Sequence, residues 1–333
     1  MLETLGMQDV LGDGLITAEA LRFAGLNEHA VAALVQRGEL RRLRRGWYTL
    51  GSKWQAMGPD GKYRLFVRAT AAAAERQLVL SHHSAAVLHG LPLIGKWPTT
   101  VHALLPDARG GSSHRLLTSH RAVADPNSTF ISGVAVTSLS RTLIDMAAGC
   151  SLLTGVTMID HALNRENTGA AGEYTTGAPP ITKASLLTEL ELVNPRTGRH
   201  AAERAIAFAN GLSANAGESL SRVRFEELGF QIPELQVRFD VAGRTFYVDF
   251  FWRDVRKIGE FDGHIKYTRA AVMNEKDVVE VVVAEKDRES LLRPGVGSFD
   301  RWGWNLALNS TDFYRFLLEK GVPRAVPAHR GTR

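Results

Sequence analysis

The segment Tyr247-Val-Asp249-Phe-Phe-Trp-Arg253-Asp254-Val-Arg-Lys-Ile-Gly-Glu260-Phe-Asp262-Gly263-His-Ile-Lys266-Tyr267 sets acidic residues inside two short apolar runs, parted by the turn-forming pair Arg253-Asp254. A carboxylate among Tyr, Val, Phe and Trp is costly to bury unless it is paired or holds a metal. Asp249, Glu260 and Asp262 fall within fourteen residues. If Lys257 to Asp262 is a strand, Glu260 and Asp262 point to one face, because side chains alternate. A short turn brings Asp249 beside them. Three such oxygens suit Mg²⁺ or Mn²⁺, hard cations that take a few carboxylates and keep several waters. That ion would polarise a scissile phosphate and lower the pKa of an attacking water. Lys266, just past the strand, is placed to stabilise developing negative charge or to orient that water. Glu218, at the start of the preceding helix, would complete the acidic set.

Each of these residues also has a plainer reading. Asp262-Gly263 is a common turn dipeptide and Asp254 a turn residue. Glu218 can pair with Arg222 on a solvated helix face. Asp249 can be one half of a buried ion pair with Arg244 or Arg256.

Around this segment the order of elements is helix (Ser219–Leu228), strands (Leu235–Phe239, Thr245–Trp252, Lys257–Asp262), then helices near Glu285–Leu292 and Asp312–Lys320. This describes a compact α/β core. The tail past Val322, with Arg324, Arg330 and Arg333, reads as basic and disordered. At the other end of the chain, Thr17 caps a first helix, Asn27 a second that Gly38 ends, and Leu40 to Leu50 form a hairpin. Arg37, Arg41, Arg42, Arg44 and Arg45 put five guanidinium groups into nine residues. Helix, turn, helix and basic hairpin is the order of a winged helix-turn-helix, whose wing meets DNA phosphates or enters a minor groove. Between the two ends, helical and strand-like pieces alternate, and Thr137 or Ser138 caps a helix on which Arg141 and Asp145 form a surface pair. The fold expectation is therefore α/β in a multi-domain α+β chain. Its parts are a winged helix-turn-helix (1–55), an α+β middle domain (56–165), a linker with connecting helices (166–212), an α/β core (213–322) and a basic tail (323–333).

Composition bounds the function. The 333 residues are 44% hydrophobic and 23% charged, as in an ordinary globular protein, and no run approaches a membrane span. The single cysteine, Cys150, and the lack of a signal-peptide pattern point to the cytoplasm. Forty Lys plus Arg against 35 Asp plus Glu give +5, which permits nucleic-acid binding without requiring it. His82, His83 and His89 lack zinc-ligand spacing and read as locally hydrogen-bonded. No Gly-x-Ser-x-Gly and no phosphate-cradling glycine loop with Lys-Ser/Thr occurs.

Taken together in this order, Glu218-Ser-Leu-Ser-Arg222, Pro233-Glu-Leu-Gln236, Val248-Asp249-Phe250, Gly259-Glu260-Phe-Asp262-Gly263-His-Ile-Lys266-Tyr267 and Glu285-Lys286-Asp-Arg288-Glu289 resemble the Vsr-like branch of the PD-(D/E)XK nuclease superfamily. The resemblance implies a restriction-endonuclease-like core, a Mg²⁺-dependent site and DNA as substrate. It makes Asp249 and Glu260 the metal-binding acidic pair, Glu218 the helix-borne acid, and Lys286 and Arg288 part of a helix facing the site and contacting phosphate. One departure stands out: Asp262 occupies the place of the superfamily's lysine, so Lys266 acts as a migrated substitute or the site cuts poorly.

Leu15 to Gly25, Gly46-Trp-Tyr-Thr-Leu50, Leu80-Ser-His-His-Ser-Ala-Ala-Val-Leu-His-Gly-Leu91 and Val136-Thr-Ser-Leu-Ser-Arg-Thr-Leu-Ile-Asp145 resemble AbiEi-type antitoxins. Fusion of the two types is characteristic of actinobacteria. The leading expectation is a DNA-binding, Mg²⁺-dependent endonuclease. The alternative is a non-catalytic transcriptional regulator or antitoxin with a degenerate nuclease fold, whose implied partner is a nucleotidyltransferase toxin.

Overall fold

The computed structural model describes residues 14–105, 113–114, 116–120, 125, 127–168, 180–263 and 286–326. They form helices and three β-sheets of the α+β class. The described residues belong to two compact units, one within 1–155 and 172–206, the other within 156–171 and 207–333. Among them no helix is long and apolar enough to cross a membrane. Of the linker and connecting helices expected over 166–212, residues 169–179 lie outside the described residues.

The first unit begins with β1 (Ile16–Thr17), α1 (Ala18–Phe23), α2 (Glu28–Gln36), β2 (Leu40–Arg44) and β3 (Trp47–Leu50), the strands ordered β1-β3-β2. Both expected caps are present: Thr17 Oγ1 accepts from the Ala20 amide at 3.0 Å, and Asn27 Oδ1 from that of Ala30 at 2.9 Å. Each contributes about 1 kcal/mol. The β2–β3 register shifts between Arg42 and Arg44. Such a bulge re-aims side chains, and Leu43 packs against buried Leu15, Leu65 and Ala69.

The rest of this unit contains α3 (Gly51–Ala56), α4 (Pro59–Ala72), β4 (Val79–Leu80), α5 (His82–Leu88), β5 (Val101–Leu104), β6 (Ser113–His114), β7 (Leu117–His120), β8 (Thr129–Ile131), β9 (Val134–Val136) and α6 (Leu139–Gly149). The strands form one sheet in the order β6-β7-β5-β4-β9-β8. Tyr63 and Val67 of α4 and Ala85 and Val87 of α5 close its core against Leu80, Val101, Ala103 and Val136. Ser138 caps α6, its Oγ accepting from the Arg141 amide at 3.2 Å. Arg141 and Asp145 do pair, with Nε to Oδ1 at 2.9 Å, but both are buried. The expected surface pair is an internal one, because α6 presents that face to its neighbours α5 and α8 (Lys183–Val193). Two further helices, α7 (Leu152–Thr168) and α9 (Arg199–Phe208), each run from a stretch of the first unit into one of the second.

The second unit holds α10 (Ala216–Glu227), β10 (Glu234–Val241), β11 (Arg244–Trp252), β12 (Lys257–Phe261), α11 (286–292), β13 (Ser298–Trp302), α12 (Trp304–Leu308) and α13 (Ser310–Glu319). The sheet order is β10-β11-β12-β13, with β13 parallel to β12 and the other pairs antiparallel. Strand β13 is an addition to the sequence reading. Phe225 of α10 anchors an aromatic core, with Phe250, Trp252, Trp302 and Phe313 centred 5.2–5.9 Å away. Two glycines permit this packing. A Cβ on Gly217 would stand 2.0 Å from the Phe261 ring, and one on Gly259 2.5 Å from that of Trp302. Gly217 thus lets the first turn of α10 lie on β12, next to Glu218. The tail reading is corrected at Arg324, whose guanidinium lies 4.7 Å over Phe230 and donates to Leu228 O at 3.0 Å.

Candidate metal centre and arginine-rich hairpin

Glu218 is in the first turn of α10, which Asn215 caps through the amides of Gly217 and Glu218. Only 4% of Glu218 is exposed. Its Oε2 accepts from the Ala214 amide at 2.7 Å and its Oε1 from the Asn215 side chain. The alternative partner, Arg222, is engaged elsewhere. Arg222 donates at 2.7 Å to Asp160 Oδ2 and at 2.7 Å to Phe208 O. Asp160, fully buried, also accepts from Ser219 Oγ at 2.8 Å and from the Asn210 amide at 2.6 Å. The alternative Glu218–Arg222 pair is thus replaced by Asp160–Arg222: Arg222 and Ser219 both turn to Asp160, while Glu218 bonds back to Ala214 and Asn215. Burial pushes the Asp160 carboxyl up, and Arg222 opposes this.

Asp249 lies on β11 and is half-buried. Its Oδ2 accepts from the Phe261 amide of β12 at 2.9 Å. Of the two arginines expected as alternative partners, Arg244 lies over the Phe246 ring and Arg256 donates to Gly295 O. Between Asp249 and Glu218 stands Gln236 of β10. Its Nε2 is 3.4 Å from Asp249 Oδ1 and 3.5 Å from Glu218 Oε2. Gln236 has φ 49°, although it lies within a strand. That left-handed conformation costs an L residue roughly 1–2 kcal/mol. Opposite it the side-chain alternation of β11 changes parity. Phe246 and Val248 pack with Phe251 and Ile258, whereas Phe250 stacks with Trp302.

Glu260, 6% exposed, follows Gly259, the partner of Phe250. The same register therefore carries Glu260 towards Asp249. Both its oxygens are held by Arg288 of α11, Nη1 to Oε2 at 3.0 Å, and Arg301 Nη2 is 3.3 Å away. Burial pushes its carboxyl up, Arg288 pulls it down, and nearby Asp249 raises it further. Arg288 also donates to Tyr247 O at 2.8 Å, and Lys286 is exposed. Asp262 is half-exposed just past β12, with its amide bonded to Trp302 O at 2.8 Å. Lys266 lies outside the described residues. The lysine that β12 itself carries, Lys257, is buried against Asp300 and Ser298.

Glu218 and Asp249 thus converge on one amide, and Glu260 is beside Asp249 but committed to two guanidinium groups. Among the described residues no three His, Cys, Asp or Glu side chains form a ready cage for a metal. Mg²⁺ does not need one, because it is commonly held by one or two carboxylates, with water and phosphate completing the shell. Glu218 and Asp249 offer two carboxylates, one to each side of the Gln236 amide, while Glu260 is paired with Arg288 and Arg301.

In the first unit, Arg41, Arg42 and Arg45 are exposed on or beside the hairpin. Arg41 lies 5.5 Å over Trp54. Arg44 is half-buried and lines a cavity of about 670 Å³ with Arg76, Glu75 and Leu117. Arg37 is not part of the hairpin: it is the C-cap of α2, paired at 2.6 Å with Glu39.

Of the three histidines singled out in sequence, His89 bonds Thr137 O at 2.8 Å. His82 Nδ1 lies 3.1 Å from Ser81 Oγ, the local contact expected, and His82 and His83 also join His102 and His120, which the sequence reading missed. The His82 and His120 rings stack at 3.5 Å, and His102 Nδ1 is 2.9 Å from His120 Nε2. Burial, then neighbouring histidines, push His102 down to about 3 and His120 to about 4. His82 is lowered by the same causes. These residues come from three separate elements, so no local spacing announces them. No protein-family model and no curated protein matches the chain.

Proposed function

We propose that this protein binds DNA and hydrolyses its phosphodiester bonds with Mg²⁺. The observation that carries the reading is the meeting of Glu218, from a helix N-terminus, with Asp249, from a central strand, on the Gln236 amide. When bound there, Mg²⁺ supplies polarisation of the phosphate and a more acidic attacking water. Glu218 and Asp249 hold the cation and Glu260 joins them. The Asp249 bond to the Phe261 amide fixes the carboxylate's direction. Arg288, once released from Glu260, faces a phosphate oxygen, for which its planar fork is suited. A helix, three antiparallel strands and a parallel fourth strand support the compact α/β core that the sequence resemblance implies for this unit.

For the other end of the chain the reading is a winged helix-turn-helix. It is supported by two capped helices, a three-stranded sheet and the exposed Arg41, Arg42 and Arg45. These guanidinium groups would meet phosphates and give affinity that falls with salt. The reading is tested by incubating the full chain with plasmid and linear DNA in Mg²⁺ or Mn²⁺. Cleavage is expected, with a loss of a hundredfold or more in Asp249→Ala and Glu260→Ala. Cutting undiminished in both variants would falsify the assignment.

A second reading has its own observation. Arg288 and Arg301 already neutralise Glu260, and Asp262 stands where the nuclease lysine belongs. Under this reading the chain is a non-catalytic regulator of the AbiEi antitoxin kind, with a nucleotidyltransferase toxin as partner. Specific binding to its own promoter with no cleavage in any divalent metal would favour it.

A further inference from the structure

We infer that Gln236 is the positioning residue of the carboxylate site: it holds Glu218 and Asp249 at one spacing and yields its place when a divalent cation enters. The inference rests on the metal-site reading above.

Its backbone is the first ground. Among the described residues, the other non-glycine positions with positive φ are His82 at a helix start, Asn194 at a helix cap, and Ser132, Ala242 and Arg256 in turns. There such a conformation closes a turn or an end. Gln236 is the one inside a strand, flanked by the regular pairs Leu235–Phe250 and Val237–Val248. No turn needs the strain at this position, and strain of this kind concentrates where a site requires a side chain re-aimed.

The side chain is the second ground. A carboxamide NH₂ has two hydrogens, and Gln236 Nε2 stands within 3.5 Å of one oxygen of each acid. It offers one donor to each of two carboxylates that would otherwise repel one another. Both contacts are at the long end of the hydrogen-bond range, as suits a neutral group that a cation is to displace. The flip in β11 alternation falls at Asp249, directly across from Gln236, so the two strands bend together to bring these groups to one place.

The test uses the full chain as wild type, Gln236→Gly, Gln236→Met and Asp249→Ala. Mn²⁺ binding is followed by electron paramagnetic resonance, and cleavage as a function of Mg²⁺ concentration. Glycine accepts the φ, so Gln236→Gly should unfold at the wild-type denaturant concentration or above it. Methionine keeps the volume and loses the amide. In both variants Mn²⁺ affinity should fall tenfold or more, while cleavage at saturating Mg²⁺ stays within a few-fold of wild type. A merely structural glutamine would instead lower stability and maximal rate together, which overturns the inference. So does wild-type Mn²⁺ affinity in both Gln236 variants, when Asp249→Ala has lost it; the metal-site reading then survives. If the wild type itself binds no Mn²⁺, both fall.

Discussion

Asp160 and Asp249 both lie beside α10, and the fold treats them in opposite ways. Asp160 on α7 is sealed from solvent and saturated by Arg222, Ser219 and the Asn210 amide. Asp249 on β11 is half-buried and tied to α10 through a long amide contact that it shares with Glu218. A buried charge that serves the fold is given strong, short, charged partners. The acids offered to a ligand, Asp249 and Glu218, take neutral amide donors instead: Phe261 N at 2.9 Å, Ala214 N at 2.7 Å and the long Gln236 contact. Glu260 is intermediate: its guanidinium partners make a good ion pair, yet Arg288 comes from a separate short helix and is itself suited to phosphate.

The largest effect is expected at Asp160. Asp160→Ala leaves the 3%-exposed Arg222 without its carboxylate and should cost about 3–5 kcal/mol in denaturant unfolding. Asp249→Ala loses neutral donors, the Phe261 amide and the long Gln236 contact, and should cost about 1–2 kcal/mol. Equal losses in the two variants would erase the distinction between structural and functional acids.

The histidine cluster of the first unit bears on the same point, since its rings are half-buried, with Asp145 3.8 Å from His82 Nδ1. Their folded pKa values are depressed below the ordinary 6.5. The unfolded chain therefore binds more protons below that pH, and the stability they contribute is present above 6.5. It is lost as pH falls towards about 4 and 3, the folded values of His120 and His102. Buried Asp145, pushed up to about 6, acts oppositely, its share being lost as pH rises through that value. In ¹H–¹⁵N spectra of the imidazoles at pH 5, His102 and His120 should still be neutral. Titration of either near 6.5 would show that the cluster is open to solvent.

Much of the frame was legible in the chain, and for local reasons. Thr17 and Asn27 announce helix starts, and Asp249 and Glu260 stand out as acids in apolar strands. What escaped depends on distance or on backbone angle. Ser298-Phe-Asp-Arg-Trp302 is a short strand with charged residues, and its parallel pairing to β12 is non-local. Asp160 and Arg222 are joined only by folding, as are His82, His102 and His120. Gln236 ends the Pro233-Glu-Leu-Gln236 stretch of the resemblance, but its place between two acids depends on a φ that the sequence does not announce. Lys266, the substitute suggested by Asp262, lies outside the described residues.

The most direct measurement is the shift in melting temperature that Mg²⁺ produces in wild type, Asp160→Ala and Asp249→Ala. A ligand at a hundred times its dissociation constant stabilises the native state by about 2.7 kcal/mol. The same upward shift is expected in wild type and, from a lower start, in Asp160→Ala, with none in Asp249→Ala. An undiminished shift in Asp249→Ala, or none in the wild type, would contradict it.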